Sequence, residues 1–223
     1  MDRIIVPDAE SLAHLAAEMV QAEITSSDST LLGLSGGATP GATHEVLTKL
    51  DIDWSHVVTW VSDERWVGPD SDESNQHMVR ETLTDQVDVP LMAPNTTRST
   101  PSSTAHAFAD QIVPAMMDAR ARSVTMLGVG PDGHTASLFP GTKAVDNESI
   151  SYVANFVPVL DAWRLTATFG LLGESDVALF IVTGEAKASV MAEIASGVDY
   201  PATRVTARDR VVWLLDEAAA SEL

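Results

Sequence analysis

Val124-Thr-Met-Leu-Gly-Val-Gly-Pro-Asp-Gly-His-Thr-Ala-Ser-Leu-Phe-Pro-Gly-Thr142 is an apolar run that opens into a glycine loop with one histidine at its tip. Gly128, Gly130 and Gly133 let the chain turn sharply and bring its backbone against a ligand. Imidazole is the side chain best matched to proton transfer near neutral pH. A strand that ends this way reads as a catalytic edge, with His134 as its reactive group. Gly128 to Gly133 also fits the dinucleotide pattern G-x-G-x-x-G. That pattern needs an amphipathic helix after the third glycine and an acidic residue closing the next strand. Here Pro140-Gly141 stops any helix within two turns, and Asp132 is badly placed beside a pyrophosphate, so a nicotinamide-dependent oxidoreductase is rejected.

Outward from this block, short β-branched runs alternate with longer helical stretches. The strands are expected at Arg3 to Val6, Leu31 to Leu34, Val57 to Val61, Val124 to Leu127, Ala178 to Val182 and Val211 to Leu215. Helices are expected at Ala9 to Glu23, Gly41 to Leu50, Ser74 to Leu83, Thr104 to Ala119 and Lys187 to Ala195, the first from the amphipathic spacing of Ala13, Ala16, Met19 and Val20. Such alternation predicts an α/β fold with a mostly parallel central sheet covered on both faces. Tyr152 to Phe169 reads as two further short strands around Pro158, a small β excursion from the main sheet. Pro90 to Ser103, rich in Pro, Ser, Thr and Asn, reads as a surface loop. With no repeat and no linker, residues 1–223 are expected to form a single domain.

Composition narrows the function classes. The 223 residues carry no cysteine and 32 acidic against 13 basic side chains, a formal charge of -19. Disulfides and thiolate metal sites are therefore excluded, and nucleic acid and anionic membranes are poor partners for such a surface. No apolar run reaches the roughly 20 residues that span a bilayer, and the N-terminus lacks a signal-peptide pattern, so a cytoplasmic protein is expected. The histidines other than His134 (His14, His44, His56, His77 and His106) have no carboxylates at metal-ligand spacing, and no metal site is expected.

In an open parallel sheet, ligands bind beyond the carboxyl ends of the strands. Three more loops at that edge therefore matter. Ser35-Gly36-Gly37-Ala38-Thr39-Pro40 leads from a strand into a helix and either cradles an anion on free backbone N–H groups or is a plain glycine turn. It is not a nucleotide P-loop, because no Gly-Lys-Ser/Thr follows. Ser62-Asp63-Glu64-Arg65 is open to a solvent-facing reading as well as to a ligand contact. Lys187 is expected in the first turn of a helix, where the dipole disfavours a cation unless an anion is bound. An ordinary exposed lysine fits equally well.

These blocks resemble one family. Leu32 to Pro40, Ser62 to Arg65, Ser74-Asn75, Gly128 to Gly141, Arg164-Leu165-Thr166, Thr183 to Lys187 and Val212 to Ala219 are similar, in order and approximate spacing, to the 6-phosphogluconolactonases. The resemblance spans nearly the whole chain. It implies a Rossmann-like three-layer sandwich shared with the glucosamine-6-phosphate deaminases, and no cofactor. It also implies hydrolysis of 6-phospho-D-glucono-1,5-lactone, a small-molecule sugar-phosphate lactone. His134 would then be the general base, with Asp132 orienting it. Lys187 and Arg164 would hold the phosphate beside Ser35, Gly36, Gly37 and Thr39, and Asp63 and Arg65 would contact the sugar or fix its pose. A monomer or weak homodimer is expected.

Two rivals remain to be weighed. In the deaminase-like isomerases the histidine block continues Ala-Phe-Asn-Glu-Pro, whereas this chain has Ala136-Ser137-Leu138-Phe139-Pro140 and lacks that acid. A non-catalytic sugar-phosphate-binding module would have little reason to keep His134 and Asp132 with every expected anion contact. Ser35 is a poor nucleophile, since no histidine adjoins it in sequence and G-x-S-x-G is absent.

Overall fold

All six predicted strands form, each within two residues of its expected bounds, in a computed structural model that describes residues 2–98 and 100–223. Met1, and Ser99 of the predicted Pro90 to Ser103 loop, lie outside the described residues. The chain runs β1 (Asp2–Val6), α1 (Ala9–Thr25), β2 (Thr30–Leu34), α2 (Ala38–Leu47), β3 (Val57–Val61), β4 (Asp63–Arg65) and α3 (Asn75–Val79). It continues through α4 (Asp85–Val87), β5 (Leu91–Met92), α5 (Pro101–Met116), β6 (Arg122–Leu127), β7 (Tyr152–Val157) and β8 (Ala162–Ala167). It closes with α6 (Phe169–Gly173), β9 (Val177–Val182), α7 (Ala188–Ser196) and β10 (Arg210–Asp216).

Seven strands pair in the order β1-β10-β9-β6-β2-β3-β5, every pair parallel. Every residue of β2 and of β9 is buried, as expected of strands covered on both faces. Because side chains alternate across a strand, the sheet feeds two cores. Leu31, Leu127, Phe180 and Trp213 face the side packed by α5 and α7. Leu32, Met126, Leu179 and Leu214 face the side packed by α1 and α2. Phe180 and Trp213 lie opposite each other across β9 and β10, with rings stacked 4.0 Å apart. Burying each such side chain contributes roughly 1.5–3 kcal/mol.

The β excursion is a three-stranded antiparallel sheet, β4-β8-β7. Its two expected strands are β7 and β8; its third, β4, comes from Asp63–Arg65, which corrects the solvent-loop reading of that segment. Polar residues hid this strand, since Ser62, Asp63 and Glu64 are all buried. Two other expectations need correction. The Ser74 to Leu83 helix breaks after Val79 into a π-helical turn over Arg80–Thr84. The Pro90 to Ser103 loop contains β5 and the start of α5, where Thr100 caps Ser103 N and Pro101 occupies the first turn.

Candidate active site

A parallel sheet gathers its strand carboxyl ends on one rim, and a crevice opens where crossovers leave in opposite directions. That point lies between β2 and β6, because the chain proceeds outward from β2 to β3 and β5, and from β6 to β9 and β10. The loops that follow these two strands line a cleft of about 640 Å³. All ten residues expected at the site line it: Ser35, Gly36, Gly37, Thr39, Asp63, Arg65, Asp132, His134, Arg164 and Lys187.

The histidine is held by its own loop. Gly133 N–H donates to Gly130 O at 3.0 Å and Gly130 N–H to His134 O at 2.8 Å, which closes a tight turn. Inside it, His134 Nδ1 lies 2.5 Å from Asp132 Oδ1. The imidazole ring stacks on Phe139 with centroids 3.9 Å apart, and its side chain is 25% exposed. With Nδ1–H committed to the carboxylate, Nε2 keeps its lone pair for a reacting proton. Gly130 makes room for this pair, since a Cβ there would lie 2.0 Å from Nδ1. Ala136, next in the cleft wall, sits at φ 46°, a strained value for a residue with a Cβ.

Three cations, Arg65, Arg164 and Lys187, gather along the cleft. Arg65 and Arg164 face each other directly across β4 and β8, an arrangement that like charges disfavour. Burial, and then Arg65, hold the Arg164 guanidinium below its ordinary range, against the pull of Asp63, Glu73 and Glu64. Lys187 ends a 3-10 turn over Glu185–Lys187, immediately before α7 rather than inside its first turn as expected. Burial lowers the pKa of its ammonium, with Asp132 acting the other way. Among the described residues, Arg65, Arg164 and Lys187 form no ion pair.

The Ser35 loop adds backbone rather than a nucleophile. Ser35 Oγ donates to Met126 O at 2.7 Å and meets Ser62 Oγ at 2.9 Å. Gly37 caps α2 without a side-chain bond, which leaves first-turn N–H groups at the cleft. Thr39 Oγ1 lies 2.6 Å from Thr183 Oγ1 and so ties this loop to the one that carries Lys187.

Several contacts at the site were not foreseen from the sequence. Asp63 accepts from Ser137 Oγ at 2.6 Å and from Asn75 Nδ2 at 3.3 Å, so its carboxylate joins β4 to the histidine loop. Glu64 is fully buried and accepts from the backbone of Arg65, Asn75 and Gln76 and from Ser74 Oγ. Desolvation raises its pKa despite those bonds. Val159 and Leu160, on the β7–β8 connection, supply an apolar lip to the cleft. Glu64, Ser74, Asn75 and Ser137 belonged to recognisable blocks, but nothing local to Val159 and Leu160 signals their role.

The fold and cleft define an α/β protein with a basic residue beside a carboxylate and a cationic pocket at the switch point of a parallel sheet. A family model described as glucosamine-6-phosphate isomerases/6-phosphogluconolactonase matches residues 8–213, and the chain belongs to that family. It is similar to the 6-phosphogluconolactonase of Haemophilus influenzae, at 33% identity over 84% of this chain and 85% of that protein. The Nostoc 6-phosphogluconolactonase is 29% identical over 98% of this chain and 97% of its own length. Among solved structures, a devB protein superposes with a TM-score of 0.89 at 27% identity, covering 100% of this chain and 99% of that one. A monomeric glucosamine-6-phosphate deaminase superposes with a TM-score of 0.87 at 20% identity, covering 100% of both chains, so the fold is common to both branches.

Proposed function

We infer that this chain is an enzyme that hydrolyses 6-phospho-D-glucono-1,5-lactone to 6-phospho-D-gluconate, the second step of the oxidative pentose phosphate pathway. The observation that carries this reading is one cleft holding the His134–Asp132 pair together with three cations that no described carboxylate pairs. The 6-phosphogluconolactonases among its relatives support the same substrate. The isomerase reading lacks its acid, because Ala136 to Pro140 holds no glutamate.

A lactone is an activated ester, so one base acting on water suffices. His134 Nε2 takes a proton from water as the oxygen adds to the lactone carbonyl. The negative charge moves to the former carbonyl oxygen, where backbone N–H groups of the glycine loops stabilise it. The carbonyl re-forms, the ring C–O bond breaks, and the leaving ring oxygen takes the proton from imidazolium. The acid product then loses a proton to solvent. Asp132 keeps Nδ1 protonated and stabilises the imidazolium, as an orienting carboxylate does in other His-dependent hydrolases.

Arg164 and Lys187 bind the phosphate in this reading, with the N–H groups after Ser35, Gly36 and Gly37. An anion between them relieves the repulsion of Arg65 and Arg164 and offsets the cost of burying Arg164 and Lys187. Asp63 acts by fixing Ser137 and Asn75 rather than by reaching the sugar with a free carboxylate. We propose that residues 1–223 act as one domain, without nucleic acid or membrane partners, as a cytoplasmic monomer or weak homodimer. The direct test is a lactonase assay on 6-phosphogluconolactone with glucosamine 6-phosphate as control. Turnover of the amino sugar and not of the lactone would overturn the assignment.

A further inference from the structure

The terminal block Val212 to Ala219 lines no part of the cleft, yet its Asp216 reaches the loop that carries Lys187. Asp216 ends β10 and is 4% exposed. Both its carboxylate oxygens lie 3.0 Å from Gly184 N, and Oδ1 also accepts from Ala219 N at 2.7 Å. A buried carboxylate held this way sets the position of the donors around it, because leaving any of them unpaired is costly. Gly184 stands at φ 90° and opens the 3-10 turn, and its carbonyl accepts from Lys187 N at 3.0 Å. On the other side of the same turn, Thr183 is bonded to Thr39. The turn is therefore anchored at two points, to β10 through Asp216 and to α2 through Thr39.

We propose that Asp216 is a positioning residue for phosphate recognition: it fixes the Gly184 turn so that Lys187 faces the anion. This rests on the lactonase reading above. A loosened turn lets the ammonium wander, and displacement of a binding group by about 1 Å costs up to a hundredfold.

The test compares wild type, Asp216→Ala and Asp216→Asn on the phosphorylated lactone and on the same lactone without phosphate. Asp216→Ala is expected to raise KM for the phosphorylated substrate about ten- to a hundredfold. The ratio of kcat/KM values between the two lactones should then collapse, with a smaller loss in kcat. Asp216→Asn keeps one acceptor and should recover part of that ratio. Equal losses on both lactones, with the ratio kept, would mean a merely structural residue and would overturn the proposal. If Asp216→Ala does not fold, the ratio for Asp216→Asn decides: a fall supports the proposal and an unchanged ratio overturns it. A wild type that hydrolyses neither lactone would instead remove the lactonase reading, and the proposal with it.

Discussion

The ring of Tyr200 lies where any side chain on Gly133 would have to go: a Cβ there would come within 2.2 Å of Tyr200 Cγ. The contact is reinforced by Ala202 N–H, which donates to Gly133 O at 3.0 Å, and by the Tyr200 hydroxyl, which donates to Glu193. The segment after α7 thus backs the histidine loop from behind. Gly133 also stands at φ 73°, where a Cβ costs about 1–2 kcal/mol. Gly133→Ala is expected to lower both the melting temperature and kcat. A variant with wild-type values in both would show that the Tyr200 contact does not hold the loop.

His134→Ala should reduce kcat by about 10²- to 10⁴-fold, the usual contribution of a positioned base. The lactone also opens spontaneously, so the measured rate must be corrected for the uncatalysed reaction. Asp132→Asn should act in the same direction with a smaller factor, because the imidazole remains but its Nδ1 proton loses an anionic partner. Near-wild-type turnover in His134→Ala would exclude it as the base.

Lys187→Ala and Arg164→Ala should each raise KM for the phosphorylated lactone by about ten- to a hundredfold, the weight of a charged hydrogen bond. Since Arg164 faces Arg65 across β4 and β8, removing it should change the melting temperature little. Inorganic phosphate should raise the wild-type melting temperature more than that of either variant, by mass action on the folded state. The check is a set of thermal melts with and without phosphate; equal shifts in all three would place the anion elsewhere.

His44, on α2 but not among the residues that line the cleft, introduces a separate acid sensitivity. It is fully buried, its Nδ1 lies 3.0 Å from Thr82 Oγ1, and its Nε2 has no partner among the described residues. Burial lowers its pKa from 6.5 to about 3. Below pH 6.5 the unfolded chain therefore takes up a proton that the folded chain refuses. The stability from this site is present above that pH and is lost as pH falls toward 3, at roughly 1.4 kcal/mol per unit. The melting-temperature gap between wild type and His44→Gln should shift in favour of the variant from pH 7 to pH 4. A gap independent of pH would contradict this assignment.

Much of the architecture was legible because it is written in local patterns. β-branched runs separated by helical spacing mark the strands of a parallel sheet, and all six appear within two residues of their expected ends. The glycine loop with His134 could be read as an active edge, since Pro140-Gly141 excludes the helix a dinucleotide needs. β4 escaped, because its residues are polar and its burial comes from pairing with β8, about a hundred positions further along the chain. Asp216 escaped for a similar reason: its partner Gly184 adjoins it only through the β9–β10 pairing.

The amino-acid sequence by itself determined most of the element types, the chemistry available at the strand ends and the one histidine in the glycine loop after β6. These depend on neighbours a few residues apart. Tertiary structure alone decided that Arg65 opposes Arg164, that Asp63 binds Ser137, and that Asp216 binds Gly184. Strand order and register arise from packing two cores against one sheet, and they bring together groups that no local pattern connects.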